Sequence, residues 1–384
     1  MNYHIGEINT RMINLSTKIK KINVEPGKRI LVVSDVHGYL HHLKKALEKA
    51  KFAENDILFI VGDMIEKGPD SLGTLRYVMK LYEKGNVIPL IGNVDAYRLQ
   101  IIYGLNEASA PDFFNYVLSH RKWAGASFYE QLCAECGYVL NSPEDLLAAK
   151  DAVIERFREE FEFLASLPTV VETQNFVFVH GGLRDKNVYD NEKRGIFELT
   201  KYDAFMSNTP HVFDKYVIVG HWPVPLYNGT VQQLDPIIDR EKRIISIDGG
   251  CGVKKECQLN LLVIPDAGSS VDEISFTRYD EFPTVTASEN QAGSGDSIHI
   301  SWLNRGITML ERGEEFSFAE HTASGKKLYI PNSYLRNDTE CSDYTDLLLE
   351  VKKGDTLSLI TQTSKGCIVK KDGVIGWYCG DIQK

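Results

Sequence analysis

Short apolar runs closed by glycine or a polar residue punctuate the first two thirds of the chain. Leu31-Val32-Val33, Ile57 to Val61, Val87 to Ile91, Val170-Val171-Glu172, Phe176 to Val179, Tyr216 to Val219, Ile244 to Ile247 and Leu259 to Ile264 are rich in β-branched and aromatic residues, which predicts buried strands. After Gly38 the period lengthens: Leu40, Leu43, Leu47 and Ala50 fall on one helical face. Leu72, Leu75, Val78, Met79 and Tyr82 form another, with Gly85 as its stop. Strand and helix alternate from Arg29 onward, so the fold class is α/β (α+β). Residues 96–167 break that rhythm and predict a helical insertion, in which Ser142-Pro143-Glu144-Asp145 starts one helix and Val153, Phe157, Phe161 and Leu164 share a face. Residues 1–28 are a polar N-terminal extension, and 29–282 a first domain. Residues 283–297 are linker-like in composition, and 298–384 read as short strands with glycine turns. Asp372-Gly373 between two β runs predicts a hairpin.

The chemistry sits where the predicted strands end. Leu31 to Val33 leads into Ser34-Asp35-Val36-His37-Gly38, and residues two apart on extended backbone share a face, so Asp35 and His37 aim at one point. Later strands end in Gly62-Asp63, Gly92-Asn93, His180-Gly181-Gly182 and Gly220-His221. The carboxyl ends of strands are where open α/β sheets build their sites. Six oxygen and nitrogen ligands exceed what one catalytic zinc needs, and suit two ions sharing a carboxylate.

Charge and composition narrow the classes. The 384 residues carry a net charge of −10, which excludes a general nucleic-acid-binding surface. No apolar run approaches membrane-spanning length, and the lysine-bearing N-terminus lacks the apolar core of a signal peptide. Seven cysteines without such a signal predict reduced thiols and a cytoplasmic location. Cys133-Ala134-Glu135-Cys136 is a lone CxxC, read as helix residues rather than a zinc or redox site.

As an ordered set, Asp35-x-His37, Gly62-Asp63, Gly92-Asn93, His180-Gly181-Gly182 and Gly220-His221 resemble the motifs of the calcineurin-like metallophosphoesterases. More narrowly they are similar to the serine/threonine phosphoprotein phosphatase branch and its bacterial relatives, including symmetrical diadenosine tetraphosphate hydrolases. Phe163 to Pro168 and Ile247-Asp248-Gly249-Gly250-Cys251 add to the likeness, which covers about residues 29–265. The resemblance implies a two-sheet β-sandwich flanked by helices and hydrolysis by metal-bound hydroxide. Asp35 and His37 would hold one divalent ion (Mn²⁺ first, Fe or Zn²⁺ next), and Asn93, His180 and His221 the other. Asp63 would bridge them, so it counts among the catalytic residues.

The third and second motifs depart from that pattern. Where the family has Gly-Asn-His-Asp/Glu, this chain has Gly92-Asn93-Val94-Asp95, so the histidine that protonates the leaving group is replaced by Val94. Gly62-Asp63-Met64-Ile65-Glu66-Lys67-Gly68 puts Glu66 at the orienting acid and Lys67 at the phosphate-clamping arginine, a point charge without the bidentate fork. Asp95 and Glu66 are the remaining catalytic candidates. Asn93, Lys67 and Arg184 are the candidate phosphate contacts, and His41, His42, Tyr97 and Arg98 read as bystanders rather than substitute proton donors. Losing a general acid costs about 10²–10⁴-fold, most for poor leaving groups.

Residues 298–384 resemble a bacterial SH3-like domain around Lys371 to Gly380 and imply a small barrel that docks a peptide or protein partner, with Trp377 and Tyr378 in its core or groove. The leading expectation is a metal-dependent phosphatase acting on a phosphorylated protein or a small phosphate ester. A nucleotide or dinucleoside polyphosphate hydrolase and a metal-binding phosphate-sensing scaffold are the alternatives.

Overall fold

A computed structural model describes residue 13 and residues 15–383, so the first part of the N-terminal extension lies outside the described residues. Two sheets stack face to face. One has five strands in the order Ser275–Tyr279, Leu259–Ile264, Ile30–Val33, Ile57–Val61, Val87–Leu90. The other has six, in the order Ile19–Lys21, Val170–Glu172, Phe176–Val179, Tyr216–Val219, Ile244–Ser246, Ile237–Asp239. The strand at Ile19–Lys21 shows that the extension's end joins the second sheet, parallel to Val170–Glu172.

Side-chain alternation explains the layers. Ile30, Val32, Phe59, Val61 and Leu90 meet Val171, Phe176, Phe178, Ile218 and Ile245 across the sandwich. Phe59 and Phe178 stack there with ring centroids 3.8 Å apart. Leu31, Val33, Leu58 and Ile60 point the other way, onto helices Leu40–Lys49 and Ser71–Tyr82. The second of these helices is capped by Asp70, whose side chain accepts from the Gly73 N–H at 2.9 Å. Ile30–Val33, Ile57–Val61 and Val87–Leu90 run parallel, as do Phe176–Val179, Tyr216–Val219 and Ile244–Ser246, so the carboxyl ends within each set lie together.

The insertion is helical as expected: Asn93–Gly104, Ala110–Trp123, Phe128–Glu135, Pro143–Arg156 and Arg158–Ser166. Its first helix begins at Asn93 rather than 96, because Gly92 caps it and the Asp95 carboxylate reaches back to the Gly92 N–H. Cys133 lies on the helix Phe128–Glu135, and Cys136 just past its end. All seven cysteines are free thiols, and no helix among the described residues is long and apolar enough to cross a membrane.

The chain after Phe282 builds a separate β module, tied firmly to the sandwich. Thr284–Ala287 lies inside the stretch that composition reads as a linker, yet it is a strand between Thr356–Thr363 and Ile382–Gln383. Its two inward residues, Val285 and Ala287, are too few to stand out among the threonines and serines around them. The expected hairpin joins Gly366–Lys371 to Val374–Tyr378. Asp372 and Gly373 both take positive φ (49° and 72°), as a two-residue turn of that hand requires. Gln232–Gln233, from the sandwich portion of the chain, extends this sheet against Val374–Ile375. Three ion pairs reinforce the join: Lys254 to Asp343 at 2.6 Å, Lys370 to Asp280 at 2.9 Å, and Arg278 to Asp372 at 3.1 Å. Trp377 and Tyr378 are both buried in the module, and the Trp377 indole donates to the Thr345 carbonyl at 3.1 Å. They are core, and neither forms an open groove.

Candidate active site

Each strand end turns sharply, and the turns are strained where the ligating residue types stand. Asp35, His37, Asp63, Glu66, Lys67 and His221 all adopt positive φ, between 48° and 71°. Non-glycine residues hold that conformation only where the surroundings force it, and such strain gathers at functional sites. Glycine makes the close approach possible. A Cβ on Gly62 would come within 2.6 Å of the Gly92 Cα and 2.7 Å of the His180 Nδ1, and one on Gly92 would collide with the Asp63 carboxylate.

The six expected ligands converge. The Asp63 Oδ2 lies 3.5 Å from the His37 Nε2 and 3.4 Å from the His180 Nε2, and the Asp35 Oδ1 lies 3.8 and 3.9 Å from the same two atoms. Ligand atoms of Asp35, His37 and Asp63 all fall within 4.8 Å of one another. The Asn93 amide is 3.1 Å from the His180 Nε2. In the orientation that satisfies its neighbours it donates to the His221 Nδ1 at 2.8 Å and the Thr200 carbonyl at 3.2 Å. The His180 and His221 rings meet edge to face at 5.4 Å. Asp63 therefore stands between an Asp35–His37 side and an Asn93–His180–His221 side.

A layer of partners orients these ligands. The Nδ1 atoms of His37 and His180 face the carbonyls of Ile65 (3.2 Å) and Val61 (2.7 Å), which leaves both Nε2 atoms directed at the carboxylates. The His221 Nε2 pairs with Asp203 at 2.8 Å, turning its Nδ1 inward. The Asp63 Oδ1 accepts from the Val94 N–H at 2.8 Å, and the Asp35 Oδ2 from the His221 N–H at 3.0 Å. The Asp35 Oδ1 is buried without any hydrogen-bond partner.

Proton affinities follow from this crowding. Burial raises the Asp35 carboxyl to about 6, with His180 opposing and Asp63 adding to the rise. Burial works against ionisation at Asp63 too, but His180, His37 and Lys67 outweigh it and hold that carboxyl below the ordinary range. Burial and then the Lys67 ammonium push His37 down to about 3. Burial opposes a charge on His180, yet Asp63 and Asp35 carry it up to about 10. His221 drops to about 4 through burial and then the neighbouring His180. Asp248, just beyond strand Ile244–Ser246, is raised by burial and by Asp35, so a further carboxyl adjoins the cluster. Its Asp-Gly-Gly context carried the same strand-end signal as the other motifs.

The remaining candidates take other parts. Both oxygens of Asp95 are occupied by backbone N–H groups, Met64 (3.0 Å) and Ile65 (3.3 Å) on one and Gly92 (2.9 Å) on the other. This corrects the expectation of a catalytic Asp95: it is committed to fastening two ligand loops together. Glu66 is likewise engaged. It accepts from the Tyr116 hydroxyl at 2.7 Å and the Phe128 N–H at 3.2 Å, and its Oε2 lies 3.1 Å from the Arg98 Nε. It is thus a buried anchor for the helical insertion, and is not aimed at the cluster. Lys67 does reach the cluster, with its Nζ 2.9 Å from the His37 Nε2. Its own N–H donates to the His120 Nε2 at 3.2 Å, from the insertion.

Arg184 is turned elsewhere. Its guanidinium donates to the Glu198 and Lys201 carbonyls, at 2.8 and 3.4 Å, and lies over the Tyr202 ring. It braces the loop beside Thr200 and, among the described residues, has no direct contact with the candidate ligands. Among the bystanders, His41 and His42 pack on Tyr279, Arg98 binds Glu66, and Tyr97 is exposed. Sequence reasoning missed Asp203 and His120. Neither sits at a strand end, so nothing in the local pattern marks them.

A cavity of about 750 Å³ opens beside Lys67, walled by Tyr39, Trp123, Gly252, Lys255 and Trp302 among others. Gly252 seals its inner edge, since a Cβ there would lie 2.8 Å from the His37 Cβ.

A family model described as calcineurin-like phosphoesterase matches residues 28–246. Among curated proteins, symmetrical bis(5'-nucleosyl)-tetraphosphatase of Edwardsiella ictaluri is 37% identical over 83 residues, 21% of this chain and 29% of that protein. Its counterpart in Vibrio parahaemolyticus is 27% identical over 154 residues, 40% of this chain and 44% of that one. The chain thus spans less than half the length of either relative. Among solved structures, a protein serine/threonine phosphatase from Saccharomyces cerevisiae aligns over 70% of this chain and 85% of its own, at 14% identity and a TM-score of 0.41.

Proposed function

Since the chain belongs to the calcineurin-like phosphoesterase family, we propose that its strand-end cluster holds two divalent cations and hydrolyses phosphate esters or anhydrides whose leaving groups need little protonation. One observation carries the metal reading: the Asp35 Oδ1 is buried without a partner, facing two imidazole Nε2 atoms and close to the Asp63 carboxylate. A buried carboxylate oxygen without a hydrogen bond costs free energy that a cation would repay. The donor set of carboxylates, imidazoles and one amide, with no thiolate, suits Mn²⁺, Fe or Zn²⁺, with Mn²⁺ the first choice. Asp35 and His37 would hold one ion, Asn93, His180 and His221 the other, and Asp63 both.

Bound ions of this kind supply charge at the phosphoryl oxygens and a nucleophile active near neutral pH. The chain's own residues set the rest. Lys67 brings a point charge to the cluster's edge, where a phosphoryl oxygen would accept from it. Val94 offers only its N–H, already given to Asp63, so no proton donor stands at that position. A leaving group that departs as a stable anion is therefore favoured over an alkoxide. That favours a nucleotide anhydride over a phosphoserine protein, in line with the tetraphosphatases to which the chain is similar.

The test is metal content together with turnover. Protein stripped by chelation and reloaded with Mn²⁺ should bind about two ions per chain. It should hydrolyse p-nitrophenyl phosphate only when reloaded. Turnover without metal overturns the reading. Full loading without hydrolysis of any ester or anhydride favours the phosphate-sensing scaffold instead.

A further inference from the structure

The β module reaches the candidate active site. Trp302, from the module, lines the cavity that Lys67 also lines, and it remains 39% exposed. Its ring is fixed from two sides. The Trp222 indole meets it edge to face at 6.3 Å, and Trp222 directly follows the candidate ligand His221. The Lys254 ammonium lies 3.8 Å from the ring centroid and is itself held by Asp343 at 2.6 Å. A half-exposed indole in a set orientation is a preorganised stacking platform. Trp123, at the end of an insertion helix and 54% exposed, lines the same cavity. Exposed indoles sharing a cavity mark a binding surface. The cations on its wall are Lys67, Lys255 and the already paired Lys254, against the single carboxylate of Glu281.

We propose that Trp302 stacks on the base of a nucleoside polyphosphate whose phosphate chain runs past Lys67 to the metal cluster. The β module is then one wall of the substrate cleft and a specificity determinant, rather than a tethered targeting domain. This rests on the phosphohydrolase reading above and adds the residue, outside the family-matched region, that would bind the base. Three features select the class together. The indoles fit a planar base, whose stacking is worth about 1–3 kcal/mol. The lysines fit several phosphates rather than one. The site without a donor at position 94 fits an anhydride leaving group. The volume, about 750 Å³, is that of a small-molecule site and is short for an extended phosphopeptide.

The experiment is equilibrium binding to the full-length, Mn²⁺-loaded protein, using adenosine 5'-(β,γ-methylene)triphosphate, tripolyphosphate and a phosphotyrosine peptide. Trp302→Ala should weaken the nucleotide analogue about 5–100-fold and tripolyphosphate less than twofold, while Trp302→Phe keeps most of the affinity. Retained tripolyphosphate binding also shows that the variant is folded. The proposal is overturned if the Ala variant binds the analogue as well as wild type, if it loses both ligands equally, or if only the peptide depends on Trp302. Turnover of p-nitrophenyl phosphate in the same preparation separates the two readings. Its absence alongside Trp302-dependent nucleotide binding defeats the hydrolase and leaves the nucleotide cleft standing.

Discussion

The metal-facing and leaving-group sides of the site are built by opposite means. On the proposed metal-facing side each candidate ligand follows a buried strand, and backbone groups orient four of the six: the carbonyls of Val61 and Ile65 hold His180 and His37, and the N–H groups of Val94 and His221 hold Asp63 and Asp35. On the leaving-group side, side chains from distant stretches meet: Lys67 on a loop, Trp123 from the insertion and Trp302 from the β module. Backbone-fixed geometry tolerates little change, because glycines at 62 and 92 let the loops touch. A cleft assembled from separate side chains can change its preference one residue at a time without disturbing the cradle. The proposed pairing of a full ligand set with Val94 where a proton donor is expected fits that division.

Breaking the shared ligand should cost most. Asp63→Asn removes the whole negative charge of the proposed shared ligand and turns one of its oxygens into an NH₂, so turnover of any substrate should fall about 10³-fold, with metal content dropping alongside. Retained turnover would mean that the two sides of the cluster do not share Asp63. The insertion should fail next. Arg98→Met leaves Glu66 buried with only Tyr116, Phe128 and the nearby His120. Stability to urea should drop by about 3 kcal/mol, since Glu66 keeps some of its partners. Gly92→Ala forces a methyl group onto both the Asp63 carboxylate and the Asp63 backbone nitrogen, and should weaken metal affinity about 10–100-fold while also lowering the unfolding midpoint.

The smallest effect tests the join between sandwich and module. Burial, and then Asp343, raise the Glu256 carboxyl to about 7. Neither Glu256 oxygen has a hydrogen-bond partner, and Tyr334, Lys255 and Asp343 are its neighbours. Because the folded state prefers the protonated form, Glu256 is harmless below its unfolded value near 4.5. Stability should fall as pH rises from there through about 7. Glu256→Gln should flatten that slope, and an unchanged slope would assign the dependence to other groups.

How much of this was legible in the chain itself differs by region. Strand ends could be read because three local signals coincide there: an apolar run, a ligand residue and a glycine. Asp35, His37, Asp63, Asn93, His180 and His221 all stood out on that basis, and the structure brings them together. Asp95 and Glu66 carried the right chemistry, but their hydrogen-bond partners could not be read from local pattern. Both proved to be loop and helix anchors. Asp203, His120 and Trp302 were silent, because a contact such as Lys67 to His120 spans 53 residues and leaves no periodic trace. Thr284–Ala287 was hidden for a different reason: two inward side chains are too few to declare a strand.

If the proposed metal cradle is whole and only the proton donor is missing, turnover must depend on the leaving group. The measurement is kcat/KM for p-nitrophenyl phosphate and for a phosphoserine peptide, in wild type and Val94→His, both loaded with Mn²⁺. The account predicts that wild type strongly prefers the aryl ester. It also predicts that histidine raises turnover of phosphoserine by about 10²-fold or more while changing the aryl ester little. Equal gains on both substrates, or no gain on phosphoserine with metal content intact, would contradict it.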